Sequence, residues 1–302
     1  MKSRRLDSDK KSTLQINRFE IDFYTASPKT LKNVQQKYPK FFAQGAPDSI
    51  WLRKLKDPKE LKLFQETQKI FSDFNSIEIQ LAMLFASIKR YFLDFQTPDV
   101  TTLIGNLDFQ NRVIFYEQSI LISLDCYLGS DHEFYSNFPN YIKKQFEPET
   151  ILVDVAKSII KKQFNSINST VFLEKMISAG KIQYLLHQYL PDMSDGFVMS
   201  FTPNDFQWAQ ENEVLVWKYF NEQKLLYSED PTLNHRFLDF APFSQFYREE
   251  DRDSPGRIGV WMGWQIVTSF MNHNDVSLQG LMGLSPSEIF KKSKYKPNKY
   301  GN

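Results

Sequence analysis

Three glycines within one short segment constrain the fold more than any other feature of this sequence. Gly256, Gly259 and Gly263 recur at helical spacing in SPGRIGVWMGWQIVTSFM, residues 254–271. A glycine inside a helix is less favourable than alanine by about 0.8–1.0 kcal/mol, so three of them need compensation. We expect that compensation to be close packing against another backbone or a bulky ring. The segment therefore predicts a buried hub helix near the C-terminus.

The start of this helix and its second face are also informative. Ser254 is a good N-cap residue, and Pro255 suits the first helical position, where its missing N–H costs nothing. Arg257, Trp261 and Trp264 lie on a second face at helical spacing. We therefore predict that the helix begins at Pro255 and presents one arginine and two indoles away from the glycines.

The charged loop before the hub helix leaves two interpretations of Arg257 open. In the first, Arg257 pairs with Asp251 or Asp253 and holds the loop in place. Structural ion pairs often look like functional sites, which favours this interpretation. In the second, Arg257 and the indole of Trp261, one helical turn apart, line a small pocket. We favour the ion pair and keep the pocket as the functional alternative.

The composition excludes several classes of protein. The 302 residues carry 37 basic and 36 acidic side chains, a net charge of +1. Bulk electrostatics therefore give no reason to expect nucleic acid or an anionic membrane surface as a partner. The single cysteine, Cys126, forms neither an internal disulfide nor a paired-cysteine zinc site, and we predict a buried strand residue there. None of the four histidines has the spacing of an HExxH zinc motif.

Hydrophobic periodicity predicts an α+β fold that is mostly helical with a small mixed sheet. Alternation in Leu14–Tyr24 predicts a first strand, and three β-rich runs between residues 101 and 126 predict the others, the middle two of the four forming a hairpin. We expect residues 1–13 to be a flexible lead-in, 14–297 to form a single domain, and 298–302 to be a tail. Besides the hub helix, helices are predicted after Ser27, from Pro58, from Asn75 and at 149–164, 170–189 and 203–224, with an irregular connection at 228–253.

Four blocks of the sequence resemble one known family. They are LISLDCYLGSDHEFYSNFPNYIKKQF at 121–146, ENEVLVWKYFNEQKLLYSEDPTLNHRFLDFAPFSQFY at 211–247, the hub segment at 254–271, and SLQGLMGLSPSEIFKKSKYKP at 277–297. Together they are similar to the GldB gliding-motility lipoproteins of the Bacteroidetes. The resemblance covers most of residues 100–297, and its C-terminal blocks are the most specific.

This resemblance implies a location and partners. The family carries an N-terminal signal peptide that ends in a lipid-modified cysteine, so we expect the present sequence to start just after that cysteine, with Met1 added for expression. The resemblance implies a lipid-anchored protein on the periplasmic side of the envelope, needed for gliding and linked to type IX secretion. Other gliding proteins are the expected partners, and GldC is the one to test first.

A weaker resemblance is to zincin-like metalloproteases. In that architecture Val153–Ser158 would occupy the position of the HExxH helix, and Ser178–Lys181 that of the helix with the third ligand. Neither segment has a histidine and the second lacks a glutamate, so they cannot supply the three protein ligands of a catalytic zinc. We expect an Asp154–Lys157 ion pair where a metal would have been. Asp154, Lys157, Ser178 and Gly180 are thus candidates for a relic cleft without metal or cofactor, kept for binding.

Two alternatives stay open at this stage. A metal-independent hydrolase acting on peptide or glycan would use paired carboxylates, for instance Asp154 with Glu133 or Glu174, if their separation and environments differ suitably. A purely structural lipoprotein would instead have a solid, filled cleft behind the hub helix.

Overall fold

The computed structural model describes residues 14–163 and 169–297, so the predicted lead-in at 1–13 and the tail at 298–302 lie outside the described residues. The chain divides into two compact units. We call the residues up to Arg90 together with Asp94–Leu128 the N-terminal unit, and Tyr91–Leu93 together with the chain from Gly129 the C-terminal unit. That residues 14–297 form a single domain stays a prediction.

The N-terminal unit contains a four-stranded mixed sheet, which confirms the α+β fold class. The strand order is β1-β2-β4-β3, with β1, β2 and β4 parallel and β3 antiparallel to β4. The hairpin joins the last two strands, so its predicted place between the middle two was wrong. Glu117, with φ +53°, allows the tight two-residue turn that links β3 to β4. The strands are β1 (Ile16–Arg18), β2 (Asp99–Leu103), β3 (Val113–Tyr116) and β4 (Ser119–Ser123).

The described part of the N-terminal unit also has five α-helices, and the start of the fourth follows a local signal. The fourth begins at Pro58, and the carboxylate of Asp57 caps it by accepting from the backbone N–H of Lys59 and Glu60. Cys126 is fully buried as predicted, but in a 3-10 turn after β4 rather than in a strand. The helices are α1 (Phe19–Tyr24), α2 (Leu31–Lys37), α3 (Asp48–Lys54), α4 (Pro58–Phe71) and α5 (Asn75–Tyr91).

The strand predicted over Leu14–Tyr24 was wrong beyond Arg18, because α1 begins there. Phe19 and Phe23, which alternate as in a strand, are also four residues apart and so share one face of a helix. Their rings stack with centroids 5.4 Å apart, and Phe19 also stacks on Phe41 at 4.5 Å. Packing of these rings into the small aromatic core of the unit favours the helix over the strand.

All regular elements in the described part of the C-terminal unit are helices, and two long ones, α8 and α13, lie at its centre. Helices α7, α9, α12, α14 and α15 pack against one or both of that pair, and an apolar core of the unit surrounds α13. Among the described residues, no helix has both the length and the apolarity to cross a membrane. The helices are α6 (Asn140–Lys143), α7 (Thr150–Gln163), α8 (Phe172–Tyr189), α9 (Asp195–Met199), α10 (Pro203–Glu211), α11 (Glu213–Glu222), α12 (Thr232–Phe237), α13 (Ile258–His273), α14 (Leu278–Gly283) and α15 (Pro286–Ser293).

The hub helix α13 starts three residues later than predicted. Arg257 precedes it with a left-handed backbone, φ +65°, and Pro255 and Gly256 lie in the preceding turn. The predicted cap, Ser254, instead donates its hydroxyl proton to the carbonyl of Asp251. The first helical N–H, that of Ile258, is satisfied by the hydroxyl of Ser244, so the cap comes from a residue outside the segment.

Two further predictions about helices were wrong. The helix expected over 203–224 is broken at Asn212, whose side-chain amide donates to the carbonyl of Trp208 and thereby terminates α10. The connection expected to be irregular at 228–253 contains α12 and a 3-10 turn at Glu249–Asp253.

Candidate functional site

The second predicted relic position, around Gly180, is a helix crossing. A β-carbon built on Gly180 of α8 would overlap the backbone of Gly263 in α13, and one built on Gly263 would overlap the carbonyl of Met176. The two helices therefore touch backbone to backbone, which only glycine permits. Gly256 and Gly259 also lie against backbone carbonyls, those of Ala241 and Phe237.

The side chain of the neighbouring residue, Lys181, is held by two backbone carbonyls. Its ammonium donates to the carbonyls of Met282 at 3.0 Å and Leu284 at 2.9 Å, and the residue is only 4% exposed. Burial lowers the pKa of Lys181 to about 8. Ser178 is half-buried on the same helix. The segment at 178–181 thus packs against α13 and holds the end of α14.

The first predicted relic position holds an ion pair. The Nζ atom of Lys157 lies 4.0 Å from Oδ1 of Asp154, one turn earlier on α7. The same Nζ lies 6.0 Å from the centre of the Phe240 ring, and the guanidinium of Arg257 lies 4.4 Å from that centre. Phe240 therefore contacts both sets of residues that the sequence singled out, the relic helix and the arginine of the hub segment.

The carboxylates proposed for a hydrolase have separate partners. Glu174 accepts hydrogen bonds of 2.6 Å from the hydroxyls of Ser169 and Ser287, and these bonds lower the pKa of Glu174. A general acid needs a raised pKa, so this environment does not suit Glu174 for that role. Glu133 lies in a 3-10 turn at Glu133–Tyr135. Within 14–163 and 169–297, no group of three or more His, Cys, Asp or Glu side chains is arranged to hold a metal ion.

Arg257 does not pair with either aspartate of the preceding loop. Its Nη1 donates to the carbonyl of Met199 at 2.9 Å, whereas Asp251 accepts from the backbone N–H of Tyr247. Burial lowers the pKa of Arg257 to about 10, and the more distant charge of Asp239 opposes this shift. The favoured ion-pair interpretation was therefore wrong, because the left-handed turn before α13 directs this side chain towards Met199 instead.

Arg257 lines a small cavity of about 40 Å³. Lys144, Ser200, Asp205 and Phe240 line it too. These residues come from four separate segments, and no motif in the sequence connects them with Arg257. We call this space the Arg257 cavity.

The two indoles of the second face pack elsewhere. Trp261 is 2% exposed and meets Phe206 edge-on at 5.0 Å. Trp264 stacks on the imidazole of His187 at 4.2 Å. The ring of His187 lies 3.0 Å from Asp195, yet burial outweighs this carboxylate and lowers the pKa of His187 to about 4. A neutral imidazole on Trp264 is thus part of the hub, and the sequence analysis did not find it.

A larger cleft of about 310 Å³ lies between α10, α11 and the loop before α13. Trp208, Tyr219 and Phe246 contribute apolar surface, and Arg248 and Asp253 contribute opposite charges. The Tyr219 hydroxyl donates to the carbonyl of Phe246, and its ring lies 5.1 Å from the guanidinium of Arg248. We call this space the Trp208 cleft.

The Trp208 ring stacks on no other aromatic ring among the described residues; it is partly buried against the apolar core around α13 and also lines the cleft. Tyr219, in contrast, is held by three groups, because Nη2 of Arg236 also donates to its hydroxyl at 3.1 Å. The cleft thus combines the ring of Tyr219, which is held in place by hydrogen bonds, the indole of Trp208, which stacks on no other described ring, and charged side chains of both signs. This arrangement suits recognition of a partly polar, partly apolar surface.

Comparison with known proteins gives the identity of the family. The model of the family described as gliding motility protein GldB matches residues 2–297, nearly the whole chain. The chain belongs to the GldB family. None of the curated proteins and none of the solved structures compared with it matches. GldB membership makes this chain a gliding-motility lipoprotein associated with the cell envelope, in a family that is not a known enzyme family. The zincin-like architecture stays a prediction.

Proposed function

We propose that this GldB protein is a non-catalytic component of the gliding machinery, built on a degenerate metalloprotease-like scaffold. It is held by an N-terminal lipid on the periplasmic side of the envelope and linked to type IX secretion. It acts by binding another protein of that machinery, for which GldC is the first candidate. The observation that carries the proposal is the Trp208 cleft, with its unstacked indole beside the hydrogen-bonded ring of Tyr219.

The use of the relic positions supports a binding role over catalysis. Gly180 is in backbone contact with α13, and the ammonium of Lys181 is engaged by two carbonyls. The Asp154 carboxylate faces the ammonium of Lys157 at 4.0 Å. At the two positions where a zincin-like protease would carry metal ligands, the residues of this chain are thus engaged in packing, in hydrogen bonds to carbonyls and in an ion pair.

The composition of the Trp208 cleft supports a protein partner. Tryptophan, tyrosine and arginine are the residues most often found to dominate binding energy at protein interfaces, and Trp208, Tyr219 and Arg248 meet here. Leu215, which also lines the cleft, is 62% exposed. A partner that covers Leu215 and the Trp208 ring would remove both apolar surfaces from water.

The test uses the full-length lipoprotein in a gliding bacterium whose own copy is deleted. Trp208→Ala is compared with Tyr227→Ala, which truncates an aromatic side chain that is 72% exposed and lies outside the cleft. We expect Trp208→Ala to abolish spreading at normal protein level and thermal stability, and Tyr227→Ala to spread normally. Titration calorimetry of the purified chain with purified GldC should give binding that Trp208→Ala weakens at least tenfold.

Two results would contradict the proposal. Normal spreading of the Trp208→Ala strain would mean that the cleft is not the functional surface. One zinc ion per purified chain, together with peptide hydrolysis that a chelator abolishes, would overturn the non-catalytic role.

A further inference from the structure

The Arg257 cavity contains a guanidinium that is in direct contact with no acidic side chain among the described residues. The guanidinium of Arg257 has one hydrogen-bond acceptor, the Met199 carbonyl, and no carboxylate within 4.0 Å among the described side chains. Its second contact is the face of Phe240. An arginine has five N–H donors in a planar fork, so several remain for a ligand. The carboxylate of Asp239 acts on Arg257 only from a distance, so an anion in the cavity would give this guanidinium its first direct ionic partner among the described residues.

A second cation lies in the same cavity. Lys144 lines it, and its Nζ lies 3.6 Å from Oδ2 of Asp205. That carboxylate oxygen already accepts from the backbone N–H of Thr202 in the capping box of α10, so it is shared. The charged lining residues, Lys144, Arg257 and Asp205, sum to a net charge of +1. A ligand with a single negative charge would balance them.

The N-terminus of α13 does not account for this site. Its first N–H is satisfied by the hydroxyl of Ser244, and Arg257 itself precedes the helix. The side chains of Arg257 and Lys144 supply the positive charge instead.

An apolar compartment adjoins the charged one. It measures about 150 Å³ and is lined by Phe197, Phe201 and Thr150 among others. Lys144, Ser200 and Phe201 line both compartments, so a ligand can occupy the two at once. One compartment suits a small anionic group, and the other has room for one apolar side chain.

We propose that this double compartment binds the free C-terminus of a peptide whose last residue is apolar. The terminal carboxylate lies against Arg257 and Lys144, and the last side chain enters the compartment of Phe197 and Phe201. A carboxylate matches the guanidinium fork with two parallel hydrogen bonds. Phosphate is the weaker match, because it carries about 1.5–2 negative charges at pH 7 and would face Asp205. The site is distinct from the Trp208 cleft.

Calorimetric titration of the full purified chain tests the proposal. The probes are a six-residue peptide ending in leucine with a free carboxylate, the same peptide as its C-terminal amide, N-acetyl-leucine and inorganic phosphate. The variants are Arg257→Gln and Lys144→Gln, with Arg252→Gln as the control for an exposed arginine outside the cavity.

We expect the peptide acid to bind at least tenfold more tightly than the amide. Arg257→Gln should weaken binding of the acid at least tenfold, Lys144→Gln about threefold, and Arg252→Gln less than twofold. N-acetyl-leucine should compete with the peptide acid more effectively than phosphate does. If Arg257→Gln does not fold, Lys144→Gln decides the question, since Lys144 is a half-exposed side chain at a helix end.

Equal affinity for acid and amide would overturn the proposal, as would an acid affinity that neither variant changes. Phosphate competing better than N-acetyl-leucine would show a site for inorganic anions instead. The result is separable from the proposed function, because spreading and GldC binding are tested through Trp208, which lines neither compartment.

Discussion

Replacing Gly263 by alanine should destabilise the C-terminal unit severely. The new β-carbon would overlap the carbonyl oxygen of Met176, and the next atom it meets is the carbonyl carbon of the same residue. Both are backbone atoms, so no side chain can rotate away and α8 and α13 must separate. Overpacking of this kind costs about 3 kcal/mol or somewhat more, and the better helix propensity of alanine returns about 1 kcal/mol. We expect a net loss of about 2–4 kcal/mol.

Thermal unfolding followed by circular dichroism measures this loss. For a unit of this size about 2–4 °C of midpoint corresponds to 1 kcal/mol, so Gly263→Ala should melt about 4–16 °C below wild type. Gly283→Ala is the matched control, because a β-carbon there would meet no atom within 4 Å. That control should melt at or slightly above the wild-type midpoint. Equal midpoints for the two variants would refute the close crossing of α8 and α13.

Three further predictions concern buried polar groups. Lys181 has a pKa lowered from 10.5 to about 8, so the unfolded chain binds more protons than the native one between these values. The free energy of unfolding should therefore gain a contribution that rises from pH 8 to pH 10, visible in urea titrations as a rise that Lys181→Met lacks. His187 has a pKa lowered from 6.5 to about 4, so wild type should lose stability as pH falls through this window. His187→Gln should lose less, and parallel curves would contradict the assignment. Trp261 has a buried N–H without an acceptor among the described residues. Trp261→Phe should therefore change the free energy of unfolding by less than about 1 kcal/mol in denaturant titrations, since the lost ring volume is offset by removal of the unpaired donor.

The parts of the fold that depend on local signals were predictable. Periodicity and caps located α4 and α5 at their first residues, and α7 and α8 within two residues. The start of α13 was not predictable in this way, because its cap is the hydroxyl of Ser244. A strand pattern also fits a short helix when its aromatic residues are four apart, as Phe19 and Phe23 are.

The candidate sites depend on contacts between distant segments, which single-sequence patterns do not contain. The sequence singled out Arg257 beside a charged loop, and the prediction therefore assigned it a partner nearby in sequence. Its real neighbours, Met199 and Phe240, come from the end of α9 and from a loop, and neither segment has a motif. The Trp208 cleft needs the break at Asn212, and the sequence pattern of 203–224 gave no indication of it.

The hydrogen bonds from Lys181 to the carbonyls of Met282 and Leu284, at the end of α14, have a practical consequence for labelling this protein in cells. Two further hydrogen bonds hold the end of the chain: Ser269 of α13 donates to the carbonyl of Ser293 in α15, and Tyr295, just after α15, donates to Glu213 of α11. A fluorescent protein inserted before Leu278 would disrupt these hydrogen bonds. The ammonium of Lys181 would then be left buried without its two carbonyl acceptors. The same fluorescent protein joined after Pro297 would leave all of these hydrogen bonds intact.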